Sequence, residues 1–397
     1  GSTRAVYTVE KCVNLGNLTS NGERIGGMIG YIWGSNNAVN YSYGVVRGCV
    51  NAGKLVGTKS ENASNLLTAR AAFISHFIGY VNAYRTVIEN SYGLGTLENT
   101  NDEYNVIFGL SSDKATAFKV SNIFLAPNDG TTNYSYALDT ATADRSPNRL
   151  DLSYAEDAGK VTVLTTEELA SGKVTYTCNE LLGKRFFYQN LGVDAAPTVD
   201  NTHAPVNLYG DKYFNINEGG ASVRVVGDSS TVGVRFRSLI KKDIFDAMKA
   251  DVAEIGVIIA PKAIADAAGE MTFEALEAYK AASGKTNVYL TLKRSGEYAT
   301  SFSDEELSDG AYAIKGSLVN VKNASMEFTA VGYVKLADGT VFYGSTDTNS
   351  AKAVAADAVA DTKSAAEAEY MYEVAEGVFS PYTKEAYENL KALANAK

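Results

Sequence analysis

The residues best suited to binding chemistry lie between positions 31 and 43. This segment holds the only tryptophan of the chain beside several tyrosines and asparagines. The residues singled out from it are Trp33, Tyr31, Tyr41, Tyr43, Asn36 and Asn37. Aromatic faces stack on the apolar faces of ring-shaped polar molecules, and amide groups hydrogen-bond their hydroxyls. The segment therefore predicts a binding surface with Trp33 as its platform.

An internal repeat determines what should lie beside that surface. The phrase at residues 12–18 (CVNLGNL) returns at 49–55 (CVNAGKL) and more loosely at 91–97 (SYGLGTL). An Ile-Gly-Tyr phrase at 29–31 returns at 78–80. Short repeats of strand-like phrases bury their apolar residues only by stacking on their neighbours. We therefore expect a repeat domain of parallel strands, with equivalent residues in contact.

The second repeat supplies the expected polar partners of the platform, which are Asn82, Tyr84 and Arg85. In the repeat alignment Asn82 is equivalent to Trp33, and Tyr80 is equivalent to Tyr31. The alternative for these two tyrosines is a buried aromatic ladder with no ligand. The second repeat also carries a 12-residue insertion around residues 59–70, which is either a pocket wall or a plain surface loop.

The rest of the sequence offers little catalytic material. His76 and His203 are the only histidines, which argues against a histidine-based triad and excludes a His-rich metal site. Glycoside hydrolysis needs a close pair of carboxylates, and the acids of the repeats lie outside the repeated phrases apart from Glu89 and Glu98. We therefore expect a protein that is not an enzyme and uses no metal or cofactor.

Charge and hydropathy exclude two classes of partner. The chain has 36 Lys and Arg against 46 Asp and Glu, a net charge of −10, and residues 1–110 are nearly balanced. It lacks the basic footprint that nucleic acids and anionic membranes require. No stretch reaches the roughly 20 apolar residues of a membrane span, so we expect no membrane insertion.

The odd number of cysteines, three, argues against a disulfide framework. Cys12 and Cys49 occupy equivalent repeat positions, which leaves a disulfide or a stacked pair of thiols as the alternatives. Free cysteine behaves as a small hydrophobic residue, so we expect the stacked pair of buried thiols.

The patterns divide the chain into two domains of a mainly β protein. Residues 4–205 predict a β-solenoid, or β-helix-like, repeat domain with a closing segment that includes a helix capped by Thr165 or Thr166. Residues 126–160 predict a long loop within it. Residues 206–397 predict a β-sandwich with helical insertions and a helical C-terminus from Thr348, because several runs alternate with period 2 and Asp338-Gly339 marks a hairpin.

Three groups of motifs resemble known families. The run at 25–31 (IGGMIGY) resembles the GLUG-type repeats of surface proteins of gut anaerobes. The segment at 167–203 resembles the closing segment of such repeat regions, and 233–238 (GVRFRS) with 332–335 (GYVK) resembles a β-sandwich module of gut clostridial surface proteins. In architecture and composition the chain is similar to the starch-adherence proteins of ruminococcal amylosomes, which are non-catalytic.

The resemblance and the residues together predict one function. We expect an extracellular, cell-surface-associated protein that binds polysaccharide, namely starch or a malto-oligosaccharide, by aromatic stacking. The resemblance also implies a scaffold partner at the cell surface. The alternative is a structural spacer or adhesin that contacts a protein or a host surface.

Overall fold

The computed structural model describes residues 5–20, 24–33, 42–57, 73–82, 85–99, 105–106, 108–110, 118–127, 134–139, 148–151, 161–226 and 231–396. The protein is mainly β. The chain divides into two compact units. Unit 1 comprises Gly1–Phe187 with Ala195–Val199, and unit 2 comprises Tyr188–Asp194 with Asp200–Lys397. The domain boundary at 205/206 stays a prediction.

Unit 1 is built from short strands followed by two helices. The strands are β1 Ala5–Glu10, β2 Val13–Asn14, β3 Leu18–Ser20, β4 Arg24–Gly26, β5 Ile29–Trp33, β6 Ser42–Arg47, β7 Val50–Asn51, β8 Leu55–Gly57, β9 Phe73–Ser75, β10 Ile78–Asn82, β11 Arg85–Gly93, β12 Leu97–Asn99, β13 Asn105–Val106, β14 Phe108–Leu110, β15 Phe118–Leu125, β16 Tyr134–Asp139, β17 Asn148–Asp151 and β18 Val161–Val163. The helices are α1 Thr166–Ala170 and α2 Lys173–Leu182.

The described strands of unit 1 form three sheets. The chain visits these sheets repeatedly, and we call each such visit, which corresponds to one copy of the sequence repeat, a pass. Successive passes run in parallel. The sheet orders are β1-β6-β11-β15-β18, β4-β9-β13-β16-β14-β10-β5 and β3-β8-β12, with β2 and β7 beside the first and β17 antiparallel to β16. Equivalent residues of the sequence repeat are direct neighbours. Val13 pairs with Val50, and Leu55 pairs with both Leu18 and Leu97. The register of the strands therefore matches the repeat in the sequence.

A column of apolar residues shows why the passes stack. Val46 pairs with Val9 and Ile88, and Ile88 pairs with Val120. Val46 and Ile88 are fully buried, and Val120 is nearly so. Full burial of each such side chain contributes roughly 1.5–3 kcal/mol relative to exposure. One pass alone leaves this column open to water, so the passes stabilise each other.

Each pass turns the same corner with one left-handed residue. Lys11, Gly48, Asn90 and Asn122 have φ of 51°, 62°, 51° and 53° and follow aligned strand positions. Glycine and asparagine adopt this conformation at low cost. The Asn122 amide also donates to the Asn90 side-chain oxygen at 2.9 Å, so the corner itself is stacked.

The two helices cover apolar residues of unit 1 beside the strands. Thr165 caps α1 with a capping box, in which its hydroxyl accepts from the Glu168 N–H at 3.1 Å. This confirms the predicted helix start. Leu169, Cys178 and Phe187 pack in one buried cluster with strand residues that include Val50 and Tyr92. The predicted loop at 126–160 is partly wrong, because β16 and β17 lie within it.

Unit 2 alternates longer strands with helices. The strands are β19 Asn207–Tyr209, β20 Lys212–Phe214, β21 Ile216–Val226, β22 Thr231–Lys241, β23 Val252–Pro261, β24 Leu290–Ser295, β25 Leu307–Ser308, β26 Ala311–Val319, β27 Glu327–Leu336, β28 Val341–Ser350, β29 Tyr372–Ala375 and β30 Val378–Ser380. The helices are α3 Lys242–Met248, α4 Lys262–Ala268, α5 Phe273–Ser283, α6 Ala351–Ala360 and α7 Lys384–Ala394.

Two antiparallel four-stranded sheets, β21-β22-β26-β25 and β24-β23-β27-β28, carry the core of unit 2. They approach closely where glycines lack a side chain. A Cβ on Gly332 would meet the Ser238 side chain at 2.3 Å, and one on Gly316 would meet Val257 at 2.7 Å. The core between the sheets includes Phe236 and Ile255, together with α6 residues.

Most of the predicted elements of unit 2 are present. The turn at Asp338-Gly339 joins β27 to β28, with Gly339 at φ 94°. The prediction of a helical C-terminus is wrong in part, because its first helix begins at Ala351 rather than Thr348 and the region is interrupted by the β29–β30 hairpin.

Candidate functional site

The structure aligns the predicted platform with its predicted partner. Trp33 ends β5 and pairs with Asn82, which ends β10, while Tyr31 pairs with Tyr80 in the same parallel register. Neighbouring strands in a sheet are about 4.8 Å apart. The last residues of β5 and β10, Trp33 and Asn82, therefore lie on adjacent passes, as the repeat alignment predicted.

Two further predicted site residues pair with each other in another sheet of unit 1. Tyr43 of β6 pairs with Arg85, the first residue of β11. Tyr31 is half-buried. The remaining predicted site residues, Tyr41, Asn36, Asn37 and Tyr84, lie outside the described residues, as does the insertion at 59–70.

Unit 1 also contains a column of polar side chains that sequence analysis did not single out. The Asn14 amide donates to the Asn51 side-chain oxygen at 2.7 Å, and the Asn51 amide lies 2.9 Å from Nδ1 of His76. In the third pass the equivalent position is Gly93, where an added Cβ would lie 2.5 Å from the His76 ring. The imidazole therefore occupies the space that a third side chain would fill.

Burial decides the protonation of His76. The side chain is buried, and desolvation lowers its pKa from 6.5 to about 3. The Asn51 amide donates to Nδ1, which requires that nitrogen to be an acceptor and fits a neutral ring. The second histidine, His203, contacts the Asp194 carboxylate at 2.7 Å in unit 2. Both histidines are thus engaged in local structure.

Three strand carboxylates of unit 1, those of Glu10, Glu89 and Glu98, lie in ion pairs. Arg47 bridges Glu10, at 3.9 Å, and Glu89 on the next pass. Lys54 contacts Glu98 at 2.5 Å. These charges alternate in sign from one pass to the next and support the stacking of the strands.

One carboxylate of unit 2 has a perturbed pKa. Burial and the nearby Glu218 raise the pKa of Asp347 above its usual range, and its Oδ2 is buried with no hydrogen-bond partner among the described residues. Within the described ranges, no group of three or more His, Cys, Asp and Glu side chains is positioned to hold a metal ion.

An open cavity of about 310 Å³ lies at β23, β24 and β26 of unit 2, and sequence analysis did not anticipate it. Its lining includes Lys293 and Arg294. Lys293 contacts Glu254 at 2.7 Å, and Arg294 lies over the Phe302 ring and 3.3 Å from Glu306. These two cations are held by neighbours in the fold.

The thiols differ from the expected buried pair. Cys49 is buried, and desolvation raises its pKa to about 11, whereas Cys12 is exposed. The prediction of two buried thiols is therefore correct for Cys49 and wrong for Cys12. Cys12 belongs to the first pass, in which Leu15 and Leu18 are also exposed.

A scan of protein-family models and a search of curated proteins found no match to this chain. None of the helices in the described part of the chain combines the length and the hydropathy that a membrane crossing requires.

Proposed function

We propose that unit 1 is a β-solenoid of the GLUG-repeat type that binds a neutral polysaccharide, an α-glucan such as starch, without cleaving it. The observation that carries this proposal is the register that pairs Trp33 with Asn82 and Tyr43 with Arg85. In both pairs an aromatic residue and a hydrogen-bonding residue occupy adjacent strands. Such pairs supply what a sugar ring needs, a stacking face and polar groups for its hydroxyls.

Strand periodicity supports a shared surface for the first pair. Ile32, between positions 31 and 33, is buried in the core of unit 1. Because side chains alternate along a strand, Tyr31 belongs to the face opposite to Ile32. We propose that the ligand approaches β5 from that face.

The proposal of a non-catalytic role has its own support. The strand carboxylates Glu10 and Glu89 share Arg47, and Glu98 pairs with Lys54. Glycoside hydrolysis by the common mechanisms needs one carboxylic acid and one free carboxylate flanking the scissile bond. Side chains held in ion pairs between passes are poorly suited to either role. We propose further that unit 2 is a β-sandwich and that the protein acts at the cell surface.

Starch affinity of the Trp33→Ala variant tests the proposal. Removing the stacking ring should cost about 1.5 kcal/mol, roughly tenfold in the dissociation constant for a malto-oligosaccharide. Calorimetry and affinity gels with embedded starch measure it. Tyr7→Ala is the matched control, because Tyr7 is an exposed aromatic of the same unit on β1.

The outcomes separate the function from the site. Loss of affinity in Trp33→Ala alone supports both. Equal affinity in the wild type and Trp33→Ala would keep glycan binding but refute Trp33 as its platform. A wild type that is not retarded by starch or by other neutral glycans would refute the function.

One observation favours the spacer or adhesin alternative. β1 and β3 are terminal strands in their sheets, and the first pass exposes apolar side chains at Val6, Tyr7, Leu15 and Leu18. An unpaired edge of this kind is a template for a strand of another chain. On this alternative, Val6→Lys with Leu18→Lys abolishes concentration-dependent association in sedimentation velocity, whereas Val193→Lys, an exposed position of unit 2, does not. A wild type that sediments as a monomer at all concentrations would exclude self-association through this edge.

A further inference from the structure

The sheet β21-β22-β26-β25 of unit 2 has one apolar and one basic face. On β22, Val234 and Phe236 are buried in the core. Arg235 and Arg237 alternate with them and therefore belong to the opposite face, where Arg237 is exposed and Arg235 is half-buried. The period-2 pattern of β22 thus marks a basic surface as well as the core.

The antiparallel register brings further cations to this face. Arg224 pairs with Gly233 and is therefore a diagonal neighbour of Arg235, and Lys315 of β26 pairs directly with Arg237. Directly paired residues on one face have Cβ atoms about 5 Å apart, and diagonal neighbours lie about 7–8 Å apart. We call Arg224, Arg235, Arg237 and Lys315 the basic patch.

Serine hydroxyls lie among these charges. Arg235 pairs with Ser222 on one side and with Ser317 on the other. Both serines are half-buried. The basic patch therefore combines cationic donors with neutral hydroxyl groups on a single sheet surface.

In the part of the chain that the structure describes, the basic patch has no carboxylate partner. Three of its members donate to main-chain carbonyls: Arg224 to Val225 at 3.4 Å, Arg237 to Gly219 at 2.6 Å and Lys315 to Glu305 at 3.4 Å. Among the described residues, none of the four lies within 4.0 Å of a carboxylate oxygen. Asp228, between β21 and β22, lies outside the described residues.

Mutual repulsion in the basic patch acts on its central residue. Burial, Arg224 and Arg237 lower the pKa of Arg235, while the neighbouring Tyr382 acts in the opposite sense. Like charges placed side by side on a sheet are destabilising. These four cations cluster without a carboxylate partner among the described residues, in a chain with ten more acids than bases. The basic patch is therefore suited to an external anion.

We propose that the basic patch binds the oxyanion groups of an acidic polysaccharide, either the carboxylates of uronate sugars or sulfate esters. Guanidinium groups form paired hydrogen bonds with both kinds of oxyanion. The choice of a polysaccharide rests on the proposed function, whereas the anion site rests on the geometry of β21, β22 and β26 alone. Four cations in a chain of net charge −10 do not suit the dense phosphates of nucleic acids.

Affinity for polygalacturonate and for dextran sulfate, measured at low and high salt, tests the proposal and distinguishes the two oxyanions. The test variant is Arg235→Gln with Arg237→Gln. The control is Lys242→Gln with Lys262→Gln, which removes the same charge from cations that pair with Asp246 and Asp266 on helices of the same unit. A charge-assisted hydrogen bond is typically worth about tenfold in affinity. Because the test variant removes two guanidinium groups, its affinity for the polyanion should fall about 100-fold, whereas that of the control should change little.

Three results would overturn the proposal. They are no binding of either polyanion by the wild type at low salt, equal losses in the test and control variants, and single-stranded DNA binding as tight as that of the polysaccharides. Arg237→Gln alone, at the most exposed position, repeats the test if the double variant unfolds. Trp33→Ala separates the two sites, because it should lose starch and keep the polyanion.

Discussion

The buried His76 should make the stability of unit 1 depend on pH. The group is neutral in the folded protein because its pKa is about 3, whereas the unfolded chain takes up a proton near the ordinary value of 6.5. Between these values the unfolded state binds one more proton than the folded state. The free energy of unfolding therefore falls as the pH is lowered from about 6.5 towards about 3.

The magnitude follows from the size of the pKa shift. Each unit contributes about 1.4 kcal/mol, so lowering the pH from 6.5 to 4 removes about 3 kcal/mol through this residue. Other titrating groups contribute too, and a His76→Gln variant isolates the effect. The variant loses ring contacts and should be about 2–4 kcal/mol less stable at pH 7, and its stability should approach that of the wild type as the pH falls.

Urea titrations at several pH values provide the assay. The fluorescence of Trp33, the only tryptophan, reports on unit 1, which also contains His76. Subtracting the unfolding free energy of His76→Gln from that of the wild type cancels the common carboxylates. A difference that stays constant from pH 7 to pH 4 would refute the buried, neutral histidine.

Two further predictions concern the same unit. Gly93→Ala places a Cβ 2.5 Å from the His76 ring and should destabilise unit 1 by about 1–3 kcal/mol in thermal unfolding followed by Trp33 fluorescence. Gly16→Ala, where the nearest atom lies at 3.6 Å, is the control, and equal losses would contradict the packing. In the native protein Cys12 should react with a thiol reagent within minutes at pH 8 while the buried Cys49 remains protected, and all three cysteines should react in denaturant. Fast modification of Cys49 in the native protein would contradict its burial.

The repeat region was predictable because its signal is local and recurrent. Equivalent residues such as Val13 and Val50, or Trp33 and Asn82, are in register because stacking of like passes buries like side chains. The same logic located the partners of the platform. That these residues bind a sugar stays a prediction.

The features that sequence analysis missed depend on residues that are distant along the chain. The space above Gly93 is filled by His76 from the bend between β9 and β10, and no spacing rule links the two positions. The lone exposed thiol at Cys12 follows from its place on the first pass, where a residue identical in type to buried Cys49 has fewer neighbours. Neither outcome is encoded in residue type alone.

The sequence by itself determined the period of the repeats, the alternation of β22, a helix start at Thr165 or Thr166 and the turn at Asp338-Gly339. Each of these depends on backbone preferences and on burial along a few consecutive residues. In unit 2, only the tertiary structure decided which strands became neighbours. It brought Arg224, Arg235 and Lys315 onto one face, because the pairing register of antiparallel strands fixes cross-strand contacts that no local pattern specifies.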